Sequence, residues 1–264
     1  AEENNLGFKE VSGKWKQWHT CSLCEQKYHG VVRCALGWAC WKTYVGRPED
    51  DWARGAAMTV LGSGLSAAGH DEDALSVRQA VLSMLRRHGA PEHNILVAQT
   101  CLANSYAQLG RHEEAMLVYR ETYSNYLKFN GEEHVMTLLA ANNYANMLTC
   151  LQRFEEARSL MRKTIPVAQR ILGESDRTTH TMRKIFAEAS YKDPGATLDD
   201  LREAVTTFED SGRIARRVFG ESHPFTTGIE SGLLNSRAVL RERETMGDVS
   251  SLREAMEAMT PGGA

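Results

Sequence analysis

The sequence predicts an all-α protein, a right-handed solenoid of antiparallel helix pairs in 42-residue units. Three observations predict it. Gly89, Gly131 and Gly173 stand 42 residues apart. Apolar residues recur three and four apart in the long stretches between glycines, as in Ile95, Ala98, Leu102, Ala103, Tyr106 and Leu109. One junction also recurs at the same period: Leu109-Gly110-Arg111-His112-Glu113-Glu114-Ala115 is matched by Leu151-Gln152-Arg153-Phe154-Glu155-Glu156-Ala157. A fixed interval of this size marks helix hairpins that cannot bury their apolar stripes alone and so stack against one another.

Each element follows from local chemistry. Gly110 ends one helix in a left-handed cap at its junction, acidic side chains meet the positive end of the next helix dipole, and the alanine lets the two helices approach closely. The pairs are expected at about 51–68 with 71–88, 92–109 with 112–129, 133–151 with 154–172, and 175–191 with 198–219. The interval from Gly173 to Gly220 is 47 residues, lengthened by Lys192-Asp193-Pro194-Gly195-Ala196. That segment is turn chemistry, with Thr197 and Asp200 spaced as a cap for the following helix. A final helix over about 222–244 would cover the end of the stack. The chain therefore divides into a cysteine-rich cap at 1–49, the solenoid at 50–245, and a tail with a short helix at 246–264.

The chain has 264 residues, 42% of them hydrophobic and 25% charged, which is ordinary for a globular protein. Lys and Arg total 31 against 34 Asp and Glu, a net charge of −3, so no basic field favours nucleic acid. No stretch reaches the roughly 20 apolar residues of a membrane span, and the N-terminus lacks the order of a signal peptide. A soluble, intracellular and cytoplasmic protein is expected. The first residue is Ala1 rather than Met, which suggests a trimmed or processed chain and leaves an upstream domain an open question.

The period, the Leu-Gly-Arg-x-Glu-Glu-Ala junction and the endings Gly131-Glu132-Glu133-His134, Gly173-Glu174-Ser175-Asp176 and Gly220-Glu221-Ser222-His223 together resemble tetratricopeptide repeats of the kinesin light chain type, over about 50–245. The resemblance implies a concave groove lined by the first helix of each pair, where paired asparagines hydrogen-bond an extended peptide. Asn142 and Asn143 fit that pattern. The second unit has Thr100-Cys101 at the equivalent places with Asn104 one turn later, and the fourth has Lys184-Ile185. The implied partner-binding set is Asn104, Asn142, Asn143, Asn146 and Lys184. An amide offers both donor and acceptor, so it can pair with a peptide backbone without dictating its side chains. His134 and His223 read as helix-start residues.

Ahead of the repeats, Cys21, Cys24, His29 and Cys34 are spaced Cys-x2-Cys-x4-His-x4-Cys. Three thiolates and an imidazole make a closed tetrahedral shell of the structural zinc type, and the spacing is that of retroviral-type zinc knuckles. Those knuckles place glycines and an aromatic inside the loops where this chain has Ser22, Glu25 and Tyr28, so nucleic-acid binding does not carry over. Reduced buried cysteines without metal and a redox dithiol at Cys21 and Cys24 are the competing readings, with His19 and Cys40 as substitute ligands. Redox pairs normally follow a strand, and no strand-rich context is visible. The pair is also compatible with half of a larger RING-like finger whose other ligands lie upstream. Cys101 and Cys150 are expected to be buried on apolar helix faces.

No catalytic constellation emerges. Gly62-Ser63-Gly64-Leu65-Ser66-Ala67 superficially matches a dinucleotide fingerprint, but it lies within a helix with no preceding strand and reads as close packing. Arg216, Arg217, Arg241 and Arg243 read as a solvated basic face that would favour acidic peptides. The expected function is a non-catalytic scaffold binding a protein or peptide on the concave face, without membrane association and with nucleic acid disfavoured. The substrate-recognition region of a RING-type ubiquitin ligase and a zinc-knuckle nucleic-acid module are the alternatives.

Overall fold

A computed structural model describes residues 15–259, with side chains to residue 246. The described residues form ten α-helices: α1 (Gly30–Tyr44), α2 (Trp52–Ala67), α3 (Asp71–Arg87), α4 (Glu92–Gln108), α5 (His112–Asn130), α6 (Val135–Cys150), α7 (Phe154–Leu172), α8 (Arg177–Lys192), α9 (Leu198–Phe219) and α10 (Pro224–Met259). Among them there is no strand, only an isolated antiparallel bridge between Thr20 and Lys27. No helix among them is long and apolar enough to cross a membrane. The four expected pairs are α2 with α3, α4 with α5, α6 with α7, and α8 with α9, each within a few residues of the sequence reading.

The repeat endings share one construction. Gly173 has φ 99° and ψ 161°, and Gly220 has φ 92° and ψ 161°, a region open essentially to glycine alone. Three residues after Gly173, Asp176 accepts a hydrogen bond from the Thr178 N–H at 2.7 Å. Three residues after Gly220, His223 Nδ1 accepts from the Phe225 N–H at 3.1 Å. Likewise, three residues after Gly131, His134 Nδ1 accepts from the Met136 N–H at 3.2 Å. Each cap satisfies an orphan amide of the helix it opens, which is why histidine stands at 134 and 223. At Thr197 a full capping box forms with Asp200, as the spacing predicted.

The chain divides into two compact units between Thr122 and Tyr123, inside α5. Across the expected boundary at 49/50, α1 lies directly on α2 within the first unit. Gly64 makes that approach possible: a Cβ there would lie 2.7 Å from the Arg33 carbonyl oxygen and 3.0 Å from Cys34 Cα. Gly64 thus serves packing, as expected. Leu61, Leu65 and Ala74 form the apolar cluster at this contact, with Cys34 and Trp41 packed on it. A second cluster of Leu75, Val81, Leu82, Ala98 and Leu102 joins α3 to α4.

In the second unit, Leu138, Ala141, Met161, Met182, Ile185 and Phe186 belong to one cluster, and Phe208, Ala204, Ile229 and Leu233 to the next. Against the second cluster, α10 runs unbroken to Met259 across the expected boundary at 245/246, and residues 260–264 of the expected tail lie outside the described ones. The lengthened loop is tied from two sides. Arg158 of α7, its side chain only 8% exposed, pairs with Asp193 at 3.0 Å and Asp200 at 3.3 Å. Arg243 of α10 donates to the carbonyls of Pro194 and Ala196. The expected basic face is therefore partly spent, since Arg216 also pairs with Glu230 at 2.8 Å.

Candidate functional site

Within the second unit, α6 and α8 are the first helices of their pairs and pack side by side. On α6, Asn142 and Asn143 are half-buried and Asn146 is exposed. Asn142 Nδ2 donates to Asn143 Oδ1 at 3.4 Å, while Asn142 Oδ1 is buried with no hydrogen-bond partner among the described residues. A buried carbonyl-type acceptor left unpaired is costly, and such atoms are uncommon in folded proteins. Tyr144 stacks on Tyr123 at 6.2 Å between ring centres. On α8, Lys184 is paired with Glu188 at 3.6 Å, so its charge is offset before any partner arrives.

In the first unit Asn104 differs from the α6 asparagines. Its Oδ1 already accepts the hydroxyl of Tyr119 from α5. A side chain bound across its own helix pair is less free to meet a peptide. Of the expected set, the structure thus gathers Asn142, Asn143 and Asn146 on one helix, places Lys184 on its neighbour, and ties Asn104 elsewhere.

At the N-terminus, Cys21 and Cys24 sit on one tight turn. The Cys21 N–H donates to the Gln26 carbonyl at 2.9 Å and the Glu25 N–H to the Cys21 carbonyl at 3.0 Å, with Glu25 at φ 55°. Backbone N–H groups of Cys24 and then Leu23 aimed at its sulfur lower the Cys21 thiol to about 7. His29 is exposed at the start of α1. Cys34, one turn on, packs against the cluster of Leu61, Leu65 and Ala74. Among the described residues no three histidine, cysteine or acidic side chains come together as a metal site. The expected Cys21, Cys24, His29, Cys34 shell is not assembled among the described residues, where Cys34 packs on the α2 contact. The nucleic-acid alternative rests on that shell and gains no support from this geometry.

The remaining cysteines divide. Cys40 is fully buried and its thiol is pushed up to about 12 by desolvation. Cys101 is partly buried and lines a cavity. Cys150, expected to be buried, is exposed at the end of α6, where it stands on the opposite side of the helix from buried Leu148. Sequence reasoning missed the cavity itself, which holds about 600 Å³ between α2, α3 and α4.

Residues 137–178, spanning α6, α7 and the start of α8, match the tetratricopeptide repeat family. Solved structures extend the likeness over most of the chain. The kinesin-light-chain-like, nearly identical TPR-like repeats of Podosopora anserina, in a Q17M form, superpose with a TM-score of 0.61 at 19% identity, covering 78% of this chain and 96% of that one. The fold is that of tetratricopeptide repeats. BtubC (BKLC) from P. vanneervenii gives 0.61 at 17% identity, covering 88% of this chain and 94% of that one. A Rap protein complexed with Competence and Sporulation Factor gives 0.52 at 15% identity, covering 79% of this chain and 59% of that one. No curated protein matches the sequence. Tetratricopeptide folds are typical of protein–protein interaction.

Proposed function

We propose that the chain is a non-catalytic scaffold that binds an extended peptide or protein segment on the first helices of its repeats, with Asn142, Asn143 and Asn146 of α6 as the central contacts. The unpaired, buried Asn142 Oδ1 carries this reading. A peptide N–H brought to it would satisfy an acceptor that the fold leaves empty, and Asn143 beside it offers further amide groups to the same backbone. Lys184, paired with Glu188, would contribute only by exchanging its partner. The Rap structure, which holds its own factor, supports the use of such a fold for binding. Asn142→Ala/Asn143→Ala is expected to lose the binding partners that wild type retains in parallel pull-downs from the same extract. Equal recovery of every partner would refute the assignment.

The cysteine turn favours a second reading. Two thiols presented on one exposed turn, with Cys34 turned toward α2, suit half of a zinc site completed by ligands outside the described residues. The chain would then be the recognition arm of a RING-type ligase. Cobalt substitution reads this directly. Cys24→Ser is expected to abolish the thiolate–cobalt absorption and Cys34→Ser to leave it intact. Equal loss from both variants would restore the four-ligand shell and sink the half-site.

A further inference from the structure

Arg78 belongs to α3, the second helix of the first pair, yet its guanidinium reaches the cavity between α2 and α4. Its stem runs over Gly62 of α2, where an added Cβ would lie 3.4 Å from Arg78 Cγ. Nη1 then donates to Ser105 Oγ on α4. Gly62 is thereby explained as the gap through which a second-helix arginine passes.

The guanidinium is poorly compensated. Its hydrogen-bond partner is a neutral hydroxyl, and among the described residues no carboxylate is in ion-pair contact with it. Asp71, two turns back on the same helix, acts on it only at longer range, and burial pulls its pKa down. Of its five N–H groups, one meets Ser105. A half-buried charge without a counter-charge is a standing cost to the fold, smaller than that of a fully buried one. Around it the walls are apolar, formed by Val81, Met84, Leu85, Val97 and Ala98.

The acidic rim does not supply the missing charge. Glu49 is engaged by Arg87 at 3.1 Å, His88 at 3.6 Å and Arg54 at 4.0 Å. Asp51 is held by Arg47 and caps α2 through the Ala53 N–H. Asp50 also stands at the rim, where its repulsion grows with each negative charge a ligand carries and so disfavours a polyanion most. The volume is within the range of about 300–1,000 Å³ usual for small-ligand sites.

We propose that this cavity binds a ligand bearing a single carboxylate on an aliphatic or aromatic body, with Arg78 taking the carboxylate and the Val81, Met84 and Val97 wall taking the body. The site lies wholly in the first unit and is independent of the asparagine face on α6. The carboxylate can come from a free acid or from a glutamate or aspartate within a peptide.

Two matched probe pairs separate these sources on the full chain: N-acetylphenylalanine against its amide, and acetyl-Leu-Glu-Leu-amide against acetyl-Leu-Gln-Leu-amide. Ligand-observed NMR is expected to show at least one acid binding about tenfold tighter than its neutral partner, the size expected of a charge-assisted contact. The pair that discriminates identifies the source. Arg78→Met is expected to erase that preference and to raise the melting temperature, since it removes a half-buried charge that has no ion-pair partner among the described residues. Inorganic phosphate is expected not to compete. Absence of binding by both acids, equal binding of acids and amides, a preference surviving in Arg78→Met, displacement by phosphate, or a lowered melting temperature in the variant would each overturn the proposal.

Discussion

Arg158→Ala is expected to destabilise the second unit by about 3 kcal/mol, the lower end of the cost of removing one member of a buried ion cluster. Three elements meet at this guanidinium. It pairs with Glu155 on its own helix, with Asp193 in the lengthened loop and with Asp200 in the capping box of α9. Its side chain is 8% exposed, while Asp193 and Asp200 are 19% and 20% exposed. Losing the arginine leaves two partly buried carboxylates facing each other, so the loss exceeds that of a surface pair, worth about 0–1 kcal/mol. Arg162→Ala is the matching control: it contacts Asp200 and Glu203 from an exposed position and is expected to change little. Urea unfolding of both variants would check this, and equal midpoints would show that the loop needs no such tie.

Gly64→Leu is expected to unseat α1 from the first unit. The added Cβ would meet backbone atoms of Arg33 and Cys34, which cannot rotate aside as a side chain could. Overpacking typically costs about 1–3 kcal/mol when side chains can adjust, and here the obstacle is main chain. The readout is Cys40, which is fully buried in the intact unit. Alkylation of Cys40 in Gly64→Leu, measured by mass spectrometry, should rise from negligible to the level of exposed Cys24. If Cys40 stays protected while the protein remains folded, α1 does not depend on this contact. Gly62→Leu acts differently, because it meets the movable stem of Arg78.

These two sites show what a sequence can reveal. Helix pairs were legible because glycine, acidic first turns and apolar spacing are local signals, each tied to one stretch of chain. That Gly62 and Gly64 serve packing was legible too, since no strand preceded them. The partner of each glycine was not, because Arg78 and the α1 backbone arrive from elsewhere in the chain. The same limit explains the cysteines. Spacing pointed to Cys34 as a fourth ligand but could not show that it packs beside Leu61 and Leu65. Asn104 looked like Asn142 until Tyr119, fifteen positions later, took its oxygen. The cavity left no trace in the sequence, since Arg78 sits on a second helix, where charged residues usually face water.

The construction of the repeat endings has an evolutionary corollary. At Gly131, Gly173 and Gly220 the turn is completed by a side chain three residues later, and nothing lies within 4 Å of where a Cβ would stand. Such a seam carries its own conformation and its own hydrogen bond. Whole 42-residue modules can therefore be duplicated or deleted at these glycines with the joint intact, so that lengthening the array requires a fitting neighbour surface but no redesign of the splice.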